Sequence, residues 1–267
     1  VWLWRRKCLE RRFCNIKGTE FSSKQLLSLQ RLSIFTAMLP VGYLLINLVP
    51  WYLVIITRSF TIGDSTYQEV DTFKTVVLQV VTATSGAALI ALMLTLLINW
   101  LTRKSMSCST GFIVAAALNG LIWFGDGISG DHLTFNSPLT MNALVAGRFY
   151  GVSNTAFAFG EVGAMIALLA WADWLKSRYS LWVSLLAVSG IGLVLVIVDA
   201  APFLGADFGG ALALIPTLGV ALVKLSGHRL RPHILVLLGL ISAGLLSAVA
   251  ILEWLARGEK STHLGRF

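Results

Sequence analysis

Charge is scarce in this chain. Only 13% of its 267 residues are Asp, Glu, Lys or Arg, while 56% are hydrophobic, and soluble domains carry about 25% charge. So few charges cannot cover a water-exposed surface, which excludes an ordinary soluble protein. Cysteine is also sparse. Cys8, Cys14 and Cys108 lie in or beside basic stretches without the neighbouring His or Cys that a zinc site needs. Placed in the cytoplasm, such thiols stay reduced, so no disulfide is expected. No Walker loop, zinc-protease motif, nucleophile elbow or haem ligand pair occurs. His228 and His233 lack metal-ligand spacing, so neither a metal nor a cofactor is expected. No internal repeat, low-complexity tract or soluble domain is visible.

What the chain does have is a succession of apolar runs, each about as long as the roughly 20 residues a helix needs to cross about 30 Å of hydrocarbon. Seven spans follow: Leu32–Thr57, Thr75–Leu101, Cys108–Phe124, Gly151–Leu175, Leu181–Val198, Phe208–Val223 and Ile234–Trp254. Residues 133–147 are moderately apolar but interrupted by Asn136 and Pro138, the pattern of an interfacial or re-entrant piece. An eighth crossing there would invert everything downstream. The expected fold is all-α: a polytopic transmembrane helix bundle of about seven spans plus that interfacial or re-entrant segment. Its parts are a basic cytoplasmic or interfacial segment at 1–31, the bundle at 32–254 and an extracytoplasmic tail at 255–267. A first residue Val1 and a last string STHLGRF read as the cut ends of a longer protein.

The net charge of +8 is informative through its placement. Fifteen of the 21 Lys and Arg residues fall in the N-terminal segment and in the loops after spans two, four and six; six (Arg58, Lys74, Arg148, Arg257, Lys260 and Arg266) fall on the other face. The positive-inside rule makes the first set cytoplasmic and the tail extracytoplasmic, in a bacterial inner membrane. Most acids lean the other way, among them Asp126, Asp131, Asp199 and Asp207. Trp51, Tyr52, Trp100, Trp123, Trp174, Tyr179 and Trp254 sit near span ends, where amphipathic rings anchor at the headgroups. The basic first 31 residues favour anionic lipid of the inner leaflet. They contain no nucleic-acid module, so the expected partners are membrane lipids and not nucleic acid.

Ionisable residues inside spans are costly to bury and point to function. Glu161 lies ten residues into the fourth span, about 15 Å along the helix and near mid-bilayer. Asn154, two turns earlier, shares its face. Glu161 is either a hydrogen-bonded packing residue or a substrate, ion or proton site. Asp126, Arg148, Tyr150, Asp199 and Asp207 cluster at the outer ends of the spans, forming an outward-facing polar vestibule. The Arg148 guanidinium suits bidentate contact with a phosphate or carboxylate, or a structural pair with a nearby aspartate. Asp207, set among Gly205, Gly209 and Gly210, reads as a helix N-cap with close glycine packing or as a phosphate-binding helix start. Pro40, Pro50 and Pro216 are expected to kink their spans.

Four strings occur together: NLVPWY at Asn47–Tyr52, GRFYGVSN at Gly147–Asn154, GADFGG at Gly205–Gly210, and the final STHLGRF. Over about residues 40–267 the chain resembles an actinobacterial family of large envelope membrane proteins. In that family an extracytoplasmic domain similar to alkaline phosphatases and sulfatases precedes a multi-helix membrane region. Ser153 stands where the family pattern has a second glycine in the GRFYG motif. The hydrolase-like domain has no counterpart here, so none of its metal-binding or nucleophilic residues carries over. The resemblance implies an envelope setting, a lipid-linked or phosphorylated substrate, and an extracytoplasmic domain of the same protein as partner.

The resulting expectation is a domain that binds, presents or transports an envelope lipid or its anionic head group through a pocket of Arg148, Tyr150, Asn154, Glu161, Asp199 and Asp207. Two alternatives stand beside it: a membrane-embedded transferase with a lipid-linked donor and Asp207, Asp199 or Glu161 as base, and a structural anchor for the outer domain.

Overall fold

Long apolar runs become helices because only a helix satisfies every backbone N–H and C=O within one segment in hydrocarbon. The computed structural model describes residues 23–53, 55, 57–62, 65–102, 109–134, 137, 154–201 and 208–257. In chain order they form α1 (Ser23–Leu45), a hairpin of β1 (Thr57–Ile62) and β2 (Ser65–Val70), α2 (Thr72–Thr102), α3 (Thr110–Ser129), α4 (Asn154–Arg178), α5 (Leu181–Ala200), α6 (Phe208–Leu225) and α7 (Pro232–Arg257). Six of these helices are long and apolar enough to cross a membrane, and α6 is a shorter apolar helix. At 18 residues, α6 is about 27 Å long, just under the hydrocarbon thickness. The chain is an all-α, multi-pass membrane protein. Large apolar side chains of α2, α5 and α7 face outward, as surfaces solvated by lipid do.

The first helix departs from the expected Leu32–Thr57. It starts at Ser23 and stops at Leu45, followed by two 3-10 turns, Ile46–Leu48 and Trp51–Leu53. Two residues account for the stop. Pro50 cannot donate to a helix ladder and drives its predecessor out of the helical region; Val49 is extended at φ −112° and ψ 134°. Asn47 turns its amide to the Leu133 carbonyl at 2.7 Å and accepts from the Trp51 indole at 2.8 Å. Pro50 therefore ends a span instead of kinking one, while Pro40 and Pro216 do lie inside helices. The third span also differs, running to Ser129 instead of Phe124.

The contacts fix an up-and-down order. Late α3 meets early α4, since a Cβ on Gly160 would lie 3.1 Å from Trp123 Cβ. Mid α3 meets the next turn of α4: a Cβ on Gly120 would lie 2.7 Å from the Ala164 nitrogen, and one on Gly163 would lie 2.7 Å from the Ala116 carbonyl oxygen. Only glycine permits this backbone approach, the small-residue packing that joins membrane helices. The two helices are antiparallel, so α3 ends at the face where α4 begins. Gly111 of α3 meets Gln30 and Ile34 of α1 and Thr102 of α2 at the opposite end. There too, Lys176 Nζ of α4 donates to the Leu225 carbonyl of α6 at 2.8 Å. Two buried clusters share α1 and α3. One joins them to α2 through Ile34, Met38, Ala91 and Ala115; the other joins them to α4, α5 and α6 through Leu44, Trp123, Leu168, Val188 and Leu214.

Trp123 is therefore not a headgroup anchor. It is buried in the second cluster with its ring 6.1 Å from that of Phe159, because Gly160 opposite it leaves room. Trp100, Trp174, Tyr179 and Trp254 are exposed near helix ends, as anchoring requires.

Candidate functional site

Asp199 is the penultimate residue of α5 and its side chain is completely buried. It lies against the first turn of α6 and the start of α4: a Cβ on Gly210 would come within 2.5 Å of Asp199 Oδ2 and 2.6 Å of the Phe157 ring. The position is electrostatically divided. The C-terminus of α5 exposes carbonyls that disfavour a carboxylate, whereas the N-terminal turn of α6 presents amide dipoles that favour one. Glycine at 210 is what lets the carboxylate reach that turn.

Glu161 lies one turn beyond Phe157 on α4, about 6 Å deeper, and is half-buried. The side chain of Thr217 on α6 lies beside it. The Thr217 hydroxyl donates its one hydrogen to the Ala213 carbonyl at 2.8 Å. Thr217 and Val162 are exposed, so the α4–α6 seam at Glu161 opens to the lipid side. Glu161 lies about 10 Å along α4 from Asn154.

Of the six residues singled out in the sequence, the structure brings Asp199 and Glu161 to one three-helix unit, α4–α5–α6. Asn154 is the first residue of α4, two turns before Glu161. Arg148, Tyr150 and Asp207 lie outside the described residues, as does nearly all of the expected interfacial stretch 133–147.

Asp126, expected in the vestibule, is committed elsewhere. Its carboxylate accepts from Leu133 N at 2.8 Å, Thr134 N at 2.7 Å and Thr134 Oγ1 at 2.6 Å. This ties down the loop after α3, which Asn47 and the Ser137–Tyr43 bond (3.0 Å) fasten to the end of α1.

No family model matches this chain, and no curated protein or solved structure is significantly similar to it.

Sequence reasoning missed Thr217 as the neighbour of Glu161, and also the polar seam between α3 and α4. There Asn119 Nδ2 donates to the Phe159 carbonyl at 3.3 Å. Asn119 Oδ1 and the Trp123 indole nitrogen, one turn apart, are buried without a partner among the described residues. The only signal for this seam was an Asn within an otherwise apolar span.

Proposed function

We propose that this chain is the membrane domain of an envelope protein that binds, presents or moves a lipid whose polar head enters between α4 and α6 at the acidic end of the bundle. The observation that carries the proposal is the pairing of depths: a fully buried carboxylate, Asp199, with a second carboxyl, Glu161, one turn deeper in a seam open to lipid. Carboxyl groups are too costly in hydrocarbon to persist as packing material when an apolar residue would serve. A seam open to the bilayer admits an amphiphile sideways without drawing its chains through water. Arg148, at the same end in sequence, supplies a guanidinium for an anionic head. The charge bias along the chain supports a bacterial inner membrane with the basic end cytoplasmic.

The test uses a photoactivatable lipid with its reactive group near the head, in membranes containing the full chain. Crosslinks should concentrate on α4 and α6 around Glu161 and Thr217, and Glu161→Gln and Arg148→Ala should each reduce them at least several-fold with insertion unchanged. Crosslinks spread evenly over the outward faces of α2 and α7, or left unaltered by both substitutions, would defeat the reading.

A further inference from the structure

The opposite end of the bundle carries a second built feature, made by the turns joining α4 to α5 and α6 to α7. Helix α6 closes with a complete Schellman motif: Gly227 is left-handed at φ 85°, its N–H donates to Lys224 O at 3.1 Å, and His228 N donates to Val223 O at 3.1 Å. The Ser226 hydroxyl bonds the His228 ring at 3.0 Å. Pro232 then opens α7, the position where its missing N–H costs nothing. The turn holding Arg229 and Arg231 is thus fixed at both ends. Lys176, reaching from the end of α4 to Leu225 O at 2.8 Å, ties the other turn to it and brings Arg178 to the same surface.

Arg178, Lys224, Arg229 and Arg231 are all exposed, and none has an acidic partner among the described residues. Flanking them, Trp174 and Tyr179 pack edge to face at 6.0 Å, and Trp182 is 74% exposed. Exposed Trp and Tyr at the ends of membrane helices favour the level where headgroup meets acyl chain. Four cations without acidic partners among the described residues, on pinned turns and bordered by aromatic rings, fit a phosphate that arrives attached to a lipid.

We propose that this basic face is a binding site for an anionic phospholipid of the adjoining leaflet, its phosphodiester held by Arg178, Arg229 and Arg231. The site is independent of the α4–α6 seam, which lies at the other end of the bundle.

The test titrates the purified full chain, in a neutral detergent, with phosphatidylglycerol, phosphatidylcholine or inorganic phosphate, and counts bound ligand by native mass spectrometry. At about fivefold in affinity per cation near the phosphate, replacing all three arginines by Gln should weaken phosphatidylglycerol binding roughly a hundredfold. Phosphatidylcholine binding should not change. The three Arg→Lys replacements, which keep the charge, should retain most of the affinity. Equal binding of the two lipids by the native chain would overturn the proposal. So would an unchanged Gln variant, equal losses in the Lys and Gln variants, or inorganic phosphate binding as tightly as phosphatidylglycerol.

Discussion

Pro216 creates a debt inside α6 that a neighbouring helix settles. Lacking an N–H, it leaves the Leu212 carbonyl four residues earlier without its helical donor. The Ser242 hydroxyl of α7, fully buried, donates to that carbonyl at 3.0 Å. Interhelical hydrogen bonds in membrane proteins average about 0.6 kcal/mol and reach about 1.7. This one belongs near the upper limit, since neither water nor backbone can replace it in hydrocarbon. Ser242→Ala should therefore cost about 1.5 kcal/mol, roughly a tenfold shift in the folding equilibrium. Denaturation by SDS in mixed micelles, followed by a label on α7, measures that loss. Pro216→Ala restores the missing N–H, so in that background Ser242→Ala should cost no more than about 0.5 kcal/mol, giving a coupling of about 1 kcal/mol in the double-mutant cycle. Equal costs in the two backgrounds would show that the serine does not serve the orphaned carbonyl, whatever its effect on stability.

Three further outcomes follow. Asp126→Ala removes the acceptor of three hydrogen bonds and leaves buried donors unmatched. It should destabilise the loop after α3 by about 2–3 kcal/mol, read as faster proteolysis near residue 133 from the acidic side; Asp126→Asn should lose only part of this. Gly120→Val forces a side chain into the Ala164 backbone and should lower the yield of folded protein severely, whereas Gly190→Val, at a site with open space around it, should not. Gly210→Ala puts a methyl 2.5 Å from Asp199 Oδ2 and should lower thermal stability by about 1–3 kcal/mol. Part of that loss should disappear in an Asp199→Ser background and the rest, which comes from the Phe157 ring at 2.6 Å, should disappear in Phe157→Ala; a loss of the same size with and without Asp199 would refute the carboxylate contact as a cause.

Hydropathy located the helices because the free energy of transfer to hydrocarbon is summed over composition and depends little on neighbours. It failed where hydrogen bonding decided instead. The apolar string NLVPWYLVII reads as a continuation of the first span, yet with Asn47 and Pro50 in it the helix ends before it, at Leu45. The hairpin Thr57–Val70 also escaped detection. Its strands pair with Ile62 opposite Ser65, so only Gly63 and Asp64 separate them in sequence, a Gly-polar pair that signals a tight hairpin. Trp123 was misplaced because a ring near the end of a run usually anchors; only Gly160, on a different helix, shows that there is room to bury it. The same limit applies to the site. Asp199 and Glu161 stand out as acids in apolar sequence, but Thr217 and Gly210 acquire their roles from the register between α4, α5 and α6, which no single stretch encodes.

The separation of the buried acids from the basic turns rests on that register too. Because α3 and α4 are antiparallel at the Gly120–Gly163 crossing, and α4 and α6 are bound at their C-termini by Lys176, every described turn rich in Lys and Arg lies at one end. Asp126, Asp131 and Asp199 lie at the other, buried. A carboxylate at the C-terminus of α5 opposes the helix dipole, so its burial there is tolerable only beside the first turn of α6. That turn can approach only because residue 210 has no side chain. One absent methyl group thus joins the order of the helices to the placement of the charge, and the α4–α6 seam takes its polarity from this junction.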